Sequence, residues 1–143
     1  MDYEVLAEKF LQSMFFVQKS GPQKKIAGSM RGETFVLNYI YLHGGNVVPG
    51  EISDTMGISS ARIAATLNSL EKKGFITRQI DTNDRRRVLV ELTQAGKDTA
   101  EQHRQSAVED TAKMLNLLGE HDAKEYVRIT GRLAELILNN GNA

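Results

Sequence analysis

The chain has no cysteine. That absence excludes a disulfide scaffold, a thiolate zinc site and any switch built on thiol oxidation. Long hydrophobic runs are missing as well. No stretch approaches the ~20 apolar residues that a bilayer-spanning helix needs. The opening MDYEVLAEKFLQSMFF carries acidic residues early and no apolar run leading to a small-residue cleavage site, so it does not read as a signal peptide. Charge of one sign is not in excess either, since 18 basic residues balance 18 acidic ones. The marks of an enzyme are also absent: there is no glycine-rich phosphate loop, no nucleophile elbow and no Cys/His pair. His43, His103 and His121 lie far apart and form no H-x-x-x-H pair, so neither a metal nor another cofactor is expected.

What remains is a cytoplasmic chain of 143 residues, 41% hydrophobic and 25% charged, enough for one packed domain or a small domain with an appended dimerisation element. Its charge is neutral in total but not in distribution. From Ser59 to Val90 the cations Arg62, Lys72, Lys73, Arg78, Arg85, Arg86 and Arg87 outnumber Glu71, Asp81 and Asp84. From Asp98 to Tyr126 the balance reverses, with Asp98, Glu101, Glu109, Asp110, Glu120, Asp122 and Glu125 against Arg104, Lys113 and Lys124. A basic middle beside an acidic flank gives a directed electrostatic footprint without a global excess.

Apolar spacing then divides the chain. Leu6, Phe10, Met14 and Val17 recur at helical spacing from Tyr3 to about Gln18, with Phe15 and Phe16 widening the face, until Gly21-Pro22 breaks the pattern. A second helix is expected from near Arg31 to Gly44-Gly45. A short third one starts at Pro49, with Glu51 in its first turn and Ile52 and Met56 facing inward. Ser59 or Ser60 can cap a fourth helix running to Lys73, whose apolar residues Ile63, Leu67 and Leu70 make one narrow stripe. After Gly74 the period changes. Phe75 to Arg78 and Arg87 to Leu92 read as two strands around the turn-forming Asp81-Thr82-Asn83-Asp84. Thr93 caps a long helix from about Ala95 to Leu118, and a last helix runs from about Asp122 to Asn139.

The centre of this pattern is a helix-turn-helix. A small residue, Ser53, lets two helices cross; Gly57, four positions on, permits the tight turn; Ile63, six further, plugs the second helix into the core, with Ile52 and Ile58 completing the inner face. A hairpin with a charged tip follows at once, which makes a winged helix. Within it, Arg78, Asp81, Asp84, Arg86, Leu92, Thr93 and Gly96 follow an R-x-x-D-x-x-D-x-R pattern leading into an apolar strand and L-T-x-x-G.

This stretch resembles the wing signature of the MarR family, and the similarity extends over essentially the whole chain. The resemblance implies a mainly α fold with a small β-hairpin wing: residues 31–94 as a winged helix-turn-helix, and residues 1–30 and 95–143 as helices that intertwine into a homodimer. It further implies a transcriptional regulator, here a repressor that a ligand releases from a pseudo-palindromic operator. The terminal helices agree, carrying more apolar residues than packing on one side requires.

For double-stranded DNA the expected roles separate. Away from the apolar stripe, the fourth helix offers Ser60, Ala61, Arg62, Ala64, Ala65, Thr66 and Asn68 to a major groove. Arg62 suits guanine, Asn68 adenine or a phosphate, and Ala64, Ala65 or Thr66 the thymine methyl. Ser59, Ser60 and the helix N-terminus suit a phosphate. Arg85 and Arg86 lie near the wing tip, placed for a narrow minor groove. By the resemblance Arg86 is the minor-groove arginine and Asp84 the residue that orients it. Lys72 and Lys73 read as solvated helix-end charges. The resemblance also implies a crevice for a small aromatic or anionic effector, with Phe15, Phe16, Arg31, Tyr39, Tyr41 and His43 as candidates to line it. Two other classes stand beside this reading. A winged helix that binds a protein partner has no need of three consecutive arginines. Catalysis by Asp81 and Asp84 is disfavoured because neighbouring arginines keep both carboxylates ionised.

Overall fold

Caps and turn residues set the boundaries of the elements. The computed structural model describes residues 1–19 and 32–141. Among them α1 spans Tyr3–Gln18, α2 Gly32–Leu42, α3 Pro49–Met56 and α4 Ser60–Lys72; β1 (Ile76–Ile80) and β2 (Val88–Leu92) form an antiparallel hairpin; α5 spans Gln94–Leu118 and α6 Glu120–Gly141. This is the expected order. Asp2 caps α1 by accepting from the Glu4 and Val5 amides at 3.0 and 3.4 Å. Ser59 caps α4 through the Arg62 amide at 3.2 Å, and Thr93 caps α5 through Gly96 at 3.1 Å. The residue before α3 is Val48, which has no capping group, but Pro49 brings no N–H to satisfy. Gly57 ends α3 at φ 66°, a left-handed conformation that glycine adopts without steric cost.

The core gathers one face of each element from α2 to α5. Val36, Leu37 and Ile40 of α2 meet Ile52 of α3, the stripe Ile63, Leu67 and Leu70 of α4, Ile76 of β1, Val90 of β2 and Ala100 of α5. Val47, which the sequence reading assigns to no element, joins them. Its amide and carbonyl exchange hydrogen bonds of 3.1 and 2.8 Å with Val90, adding a one-residue third strand to the wing sheet. A single bridge is too short to leave an alternation pattern in sequence. The hairpin itself pairs Ile76 with Leu92 and Ile80 with Val88, so β1 extends two residues past the expected Arg78.

The core also reaches past residue 94. Gly96 and Ala100 are buried, and a Cβ at Gly96 would stand 2.0 Å from the Phe75 carbonyl oxygen. Only glycine lets the α5 backbone approach the residue just before β1 so closely, which is the physical meaning of the glycine in L-T-x-x-G. At 25 residues α5 is about 37 Å long. It starts inside the winged lobe and ends with Leu117 and Leu118 exposed. The outer helices behave differently. Neither α1 nor α6 buries a residue. Leu6, Phe10, Leu11, Phe15 and Phe16 of α1, and Tyr126, Ile129, Leu133, Leu136 and Ile137 of α6, face solvent in the single chain. No helix among the described residues is long and apolar enough to cross a membrane.

Candidate nucleic-acid interface

The α4 helix turns its stripe inward and so presents the opposite face to solvent. Ser60, Ala61, Arg62, Ala64, Ala65 and Asn68 are all exposed on it. Thr66 is half-buried, with its hydroxyl donating to the Arg62 carbonyl at 3.0 Å. Its hydroxyl is therefore used within the helix. Ser59 spends its oxygen on the cap, while its own hydroxyl hydrogen remains able to donate to an incoming acceptor.

Two clamps hold α4 against the rest of the lobe. At its C-terminal end Glu33 of α2 accepts from Ser69 at 2.5 Å and from Lys73 Nζ at 2.6 Å. The Lys73 hydrogen bond, helped by Ser69, holds the Glu33 carboxyl below its ordinary value although partial burial pushes the other way. Lys73, expected from sequence as a solvated helix-end charge, is exposed and also ties the end of α4 to α2. On the outer side, Arg78 of β1 donates from Nε to Glu71 at 3.1 Å, and from Nη2 both to Glu71 at 3.3 Å and to the Asn68 side-chain oxygen. The Arg78 guanidinium accordingly lowers the Glu71 carboxyl. Arg78 belongs to the wing pattern in the sequence, but its partners are visible only once β1 lies beside α4.

The wing tip is closed by its own backbone. The Asp81 amide donates to the Arg87 carbonyl at 3.0 Å, and the Arg87 amide to the Asp84 carbonyl at 2.9 Å. Asp81 Oδ1 accepts from the Asn83 amide at 3.0 Å, an Asx turn. Asp84 Oδ1 accepts from both the Arg86 amide, at 3.1 Å, and Arg86 Nε, at 3.4 Å. The Arg86 side chain is 93% exposed. At that exposure an ion pair adds almost nothing to stability. Its consequence is orientation: one carboxylate fixes both the turn and the start of a guanidinium that points into solvent. Arg85 and Arg87 are exposed beside it.

Comparison with known proteins places this arrangement. The profile of the MarR family matches residues 31–87, from the start of α2 through the wing tip. An uncharacterized HTH-type transcriptional regulator of Bacillus subtilis, YwhA, is 30% identical over 127 residues, 89% of this chain and 88% of its own length. The chain belongs to the MarR family of transcriptional regulators. Among solved structures, the YusO protein of B. subtilis superposes with a TM-score of 0.71 at 25% identity, covering 94% of this chain and 98% of that one. Streptococcus pneumoniae FabT, solved in complex with DNA, superposes at 0.66 with 21% identity, over 99% and 100% of the two chains. The expected fold, mainly α with a hairpin wing, is the one these neighbours share.

The described effector candidates of this MarR-family chain fall into separate groups. Phe15 and Phe16 stack edge to face at 5.8 Å on α1, with Lys19 Nζ 4.3 Å above the Phe15 ring. With Leu11 and Gln12 they line a shallow apolar hollow. Tyr39 lies in a column on α2, 6.3 Å from Phe35 and 4.0 Å from His43 between ring centroids. His43 Nδ1–H donates to the Tyr39 carbonyl at 2.7 Å. Tyr41 faces a separate pocket of about 230 Å³ with Gly45, Glu91 and Lys97. Arg31 lies outside the described residues. Among the described residues no three His, Asp or Glu side chains are placed to hold a metal ion.

Proposed function

We propose that this chain is a sequence-specific repressor that binds double-stranded DNA as a homodimer in the cytoplasm. The observation that carries the reading is the pairing of two exposed polar surfaces on one rigid lobe. One is the α4 face bearing Ser60, Arg62, Ala64, Ala65 and Asn68; the other is Arg86 aimed from the wing by Asp84. A helix with small and polar residues outward suits a major groove, and an extended arginine on a hairpin suits the adjoining minor groove. The DNA complex of FabT, which shares the fold, supports the same use of the lobe.

In this reading residues 31–94 read the DNA, while residues 1–30 and 95–143 pair two copies. The uncovered faces of α1 and α6 supply the apolar surface for that pairing. Two copies then set their recognition helices roughly 34 Å apart, on successive major grooves of an inverted repeat. Repression follows from occupying a promoter. A small aromatic or anionic ligand releases the operator only by binding better to a dimer whose helix spacing no longer fits.

The test is footprinting of the tagged protein on its genome, followed by gel shifts on the recovered site with wild type and Arg86→Ala. Binding to an inverted repeat, weakened about tenfold or more in the variant, is the expected result. Wild-type affinity should also fall steeply between low and physiological salt, as counterion release requires. No enriched site, with weak binding indifferent to Arg86, would assign the lobe to a protein partner instead.

A further inference from the structure

The exposed face of α4 carries a constraint that its residue types alone do not reveal. Asn68 is the residue on that face suited to adenine, which an asparagine reads by donating to N7 and accepting from N6–H through the same amide edge. Here Arg78 Nη2 touches the Asn68 amide. A guanidinium has donors and no acceptor, so the amide atom it meets is the oxygen, and the NH2 group is the end left facing away. The oxygen's second lone pair does not restore adenine readout, because the N6–H donor would have to approach beside a guanidinium that also donates. Arg78 does not yield readily, since Glu71 holds it by two further hydrogen bonds of 3.1 and 3.3 Å and its side chain is only 27% exposed.

We propose that Arg78 is a positioning residue for base readout, holding Asn68 as a donor-only side chain that favours guanine, with its two acceptors N7 and O6, or the O4 of thymine over adenine, whose lone N7 acceptor sits beside the N6–H donor. The inference rests on the DNA-binding reading above. It links the wing to the specificity of α4: the strand that carries Arg78 decides which end of an α4 side chain the DNA meets.

Selection from randomised duplexes with the full chain tests it, comparing wild type, Asn68→Ala, Arg78→Lys and the double variant. Positions whose preference is lost in Asn68→Ala identify the bases that Asn68 reads, and in wild type these should be guanine or thymine. Arg78→Lys keeps the charge beside Glu71 but replaces the fork with a single ammonium. It should enrich adenine at those positions by roughly fivefold or more, the lower end of what a bidentate contact discriminates. In the double variant the enrichment should vanish, whereas a general loosening of the wing would leave it in place. The proposal is overturned by adenine at the Asn68-dependent positions in wild type, a result that needs no Arg78 variant to fold. It is equally overturned if Asn68→Ala changes no position, if Arg78→Lys selects the wild-type sequence, or if the shift survives in the double variant. Wild type selecting no sequence at all would instead bring down the DNA-binding reading beneath it.

Discussion

In the winged lobe Val36, Leu37, Ile40, Ile52, Leu67 and Leu70 are buried within a single chain, whereas on α1 and α6 Phe10, Phe16, Ile129, Leu133 and Ile137 stand in solvent. Both regions obey helical spacing of apolar residues, yet one satisfies it alone and the other does not. The lobe closes because short turns at Gly57 and Gly74 bring α3, α4 and β1 back onto α2. The terminal helices are long and have no such neighbour among the described residues to cover their apolar sides. A third kind of surface lies on α4, exposed like α6 but small and polar where α6 is apolar. Exposed apolar faces call for protein, and an exposed polar face flanked by arginines calls for a polyanion. The helix α5 joins the two regions, buried at Gly96 and Ala100 and open at Leu117.

The hardest blow to that contrast is a charge placed on the terminal helices. Ile129→Glu with Leu133→Glu puts four carboxylates into the proposed contact of two copies, each carrying a desolvation cost of several kcal/mol. Sedimentation should show a monomer whose lobe still melts cooperatively, with operator binding lost. A dimer persisting at micromolar concentration would mean these faces are not its contact. Next comes Leu70→Ala, which empties a fully buried site and should cost about 4 kcal/mol by denaturant unfolding, whatever the protein concentration. Leu133→Ala sharpens the comparison, because its effect on the melting temperature should change with concentration, as expected of a residue stabilised by association.

Gly96→Ala follows at about 3 kcal/mol, since the added methyl meets the Phe75 backbone and α5 must move away from the start of the hairpin. Thermal melts that show no loss would refute the close approach of those two elements. The smallest effect belongs to the clamp at Glu33, where Glu33→Gln should cost roughly 0.5 kcal/mol at neutral pH, reduced by solvent screening of a pair that is partly exposed. The folded carboxyl lies below its ordinary value of 4.5, so its contribution is present above that value and is lost as the pH falls through the lower folded one. Melting temperatures of wild type and variant should therefore converge in acid. A gap that stays constant to pH 3 would show that the ion pair is not its source.

Local features of this molecule were legible in its sequence because their causes are local. Pro49 at the start of α3, the Ser59 and Thr93 caps and the left-handed turn at Gly57 each depend on residues within four positions. The inward stripe Ile63, Leu67 and Leu70 follows from period alone, and so does the outward face of α4 that makes up most of the candidate site. Asp84 and Arg86, two residues apart, were also readable, as the wing pattern implied. Val47 was not, since a single bridging residue has no period. Glu33 was not either, because its partners Ser69 and Lys73 lie 36 and 40 positions away and nothing in the spacing of α2 announces them. The grouping of the described effector candidates was not legible for a related reason: helical spacing says which residues share a face of α1 or α2, but not whether the two faces meet.

The sequence by itself determined the order of elements, the direction of each apolar face and the charged hairpin, because propensity, capping and periodicity act over a few residues and leave their mark in them. Only the tertiary structure decided how those faces are used. It laid β1 against α4 so that Arg78 meets the amide of Asn68, joined Lys73 to Glu33, and brought the α5 backbone within reach of Phe75 at Gly96. These are contacts between residues distant in the chain, set by packing whole elements into one core, and no local pattern contains them.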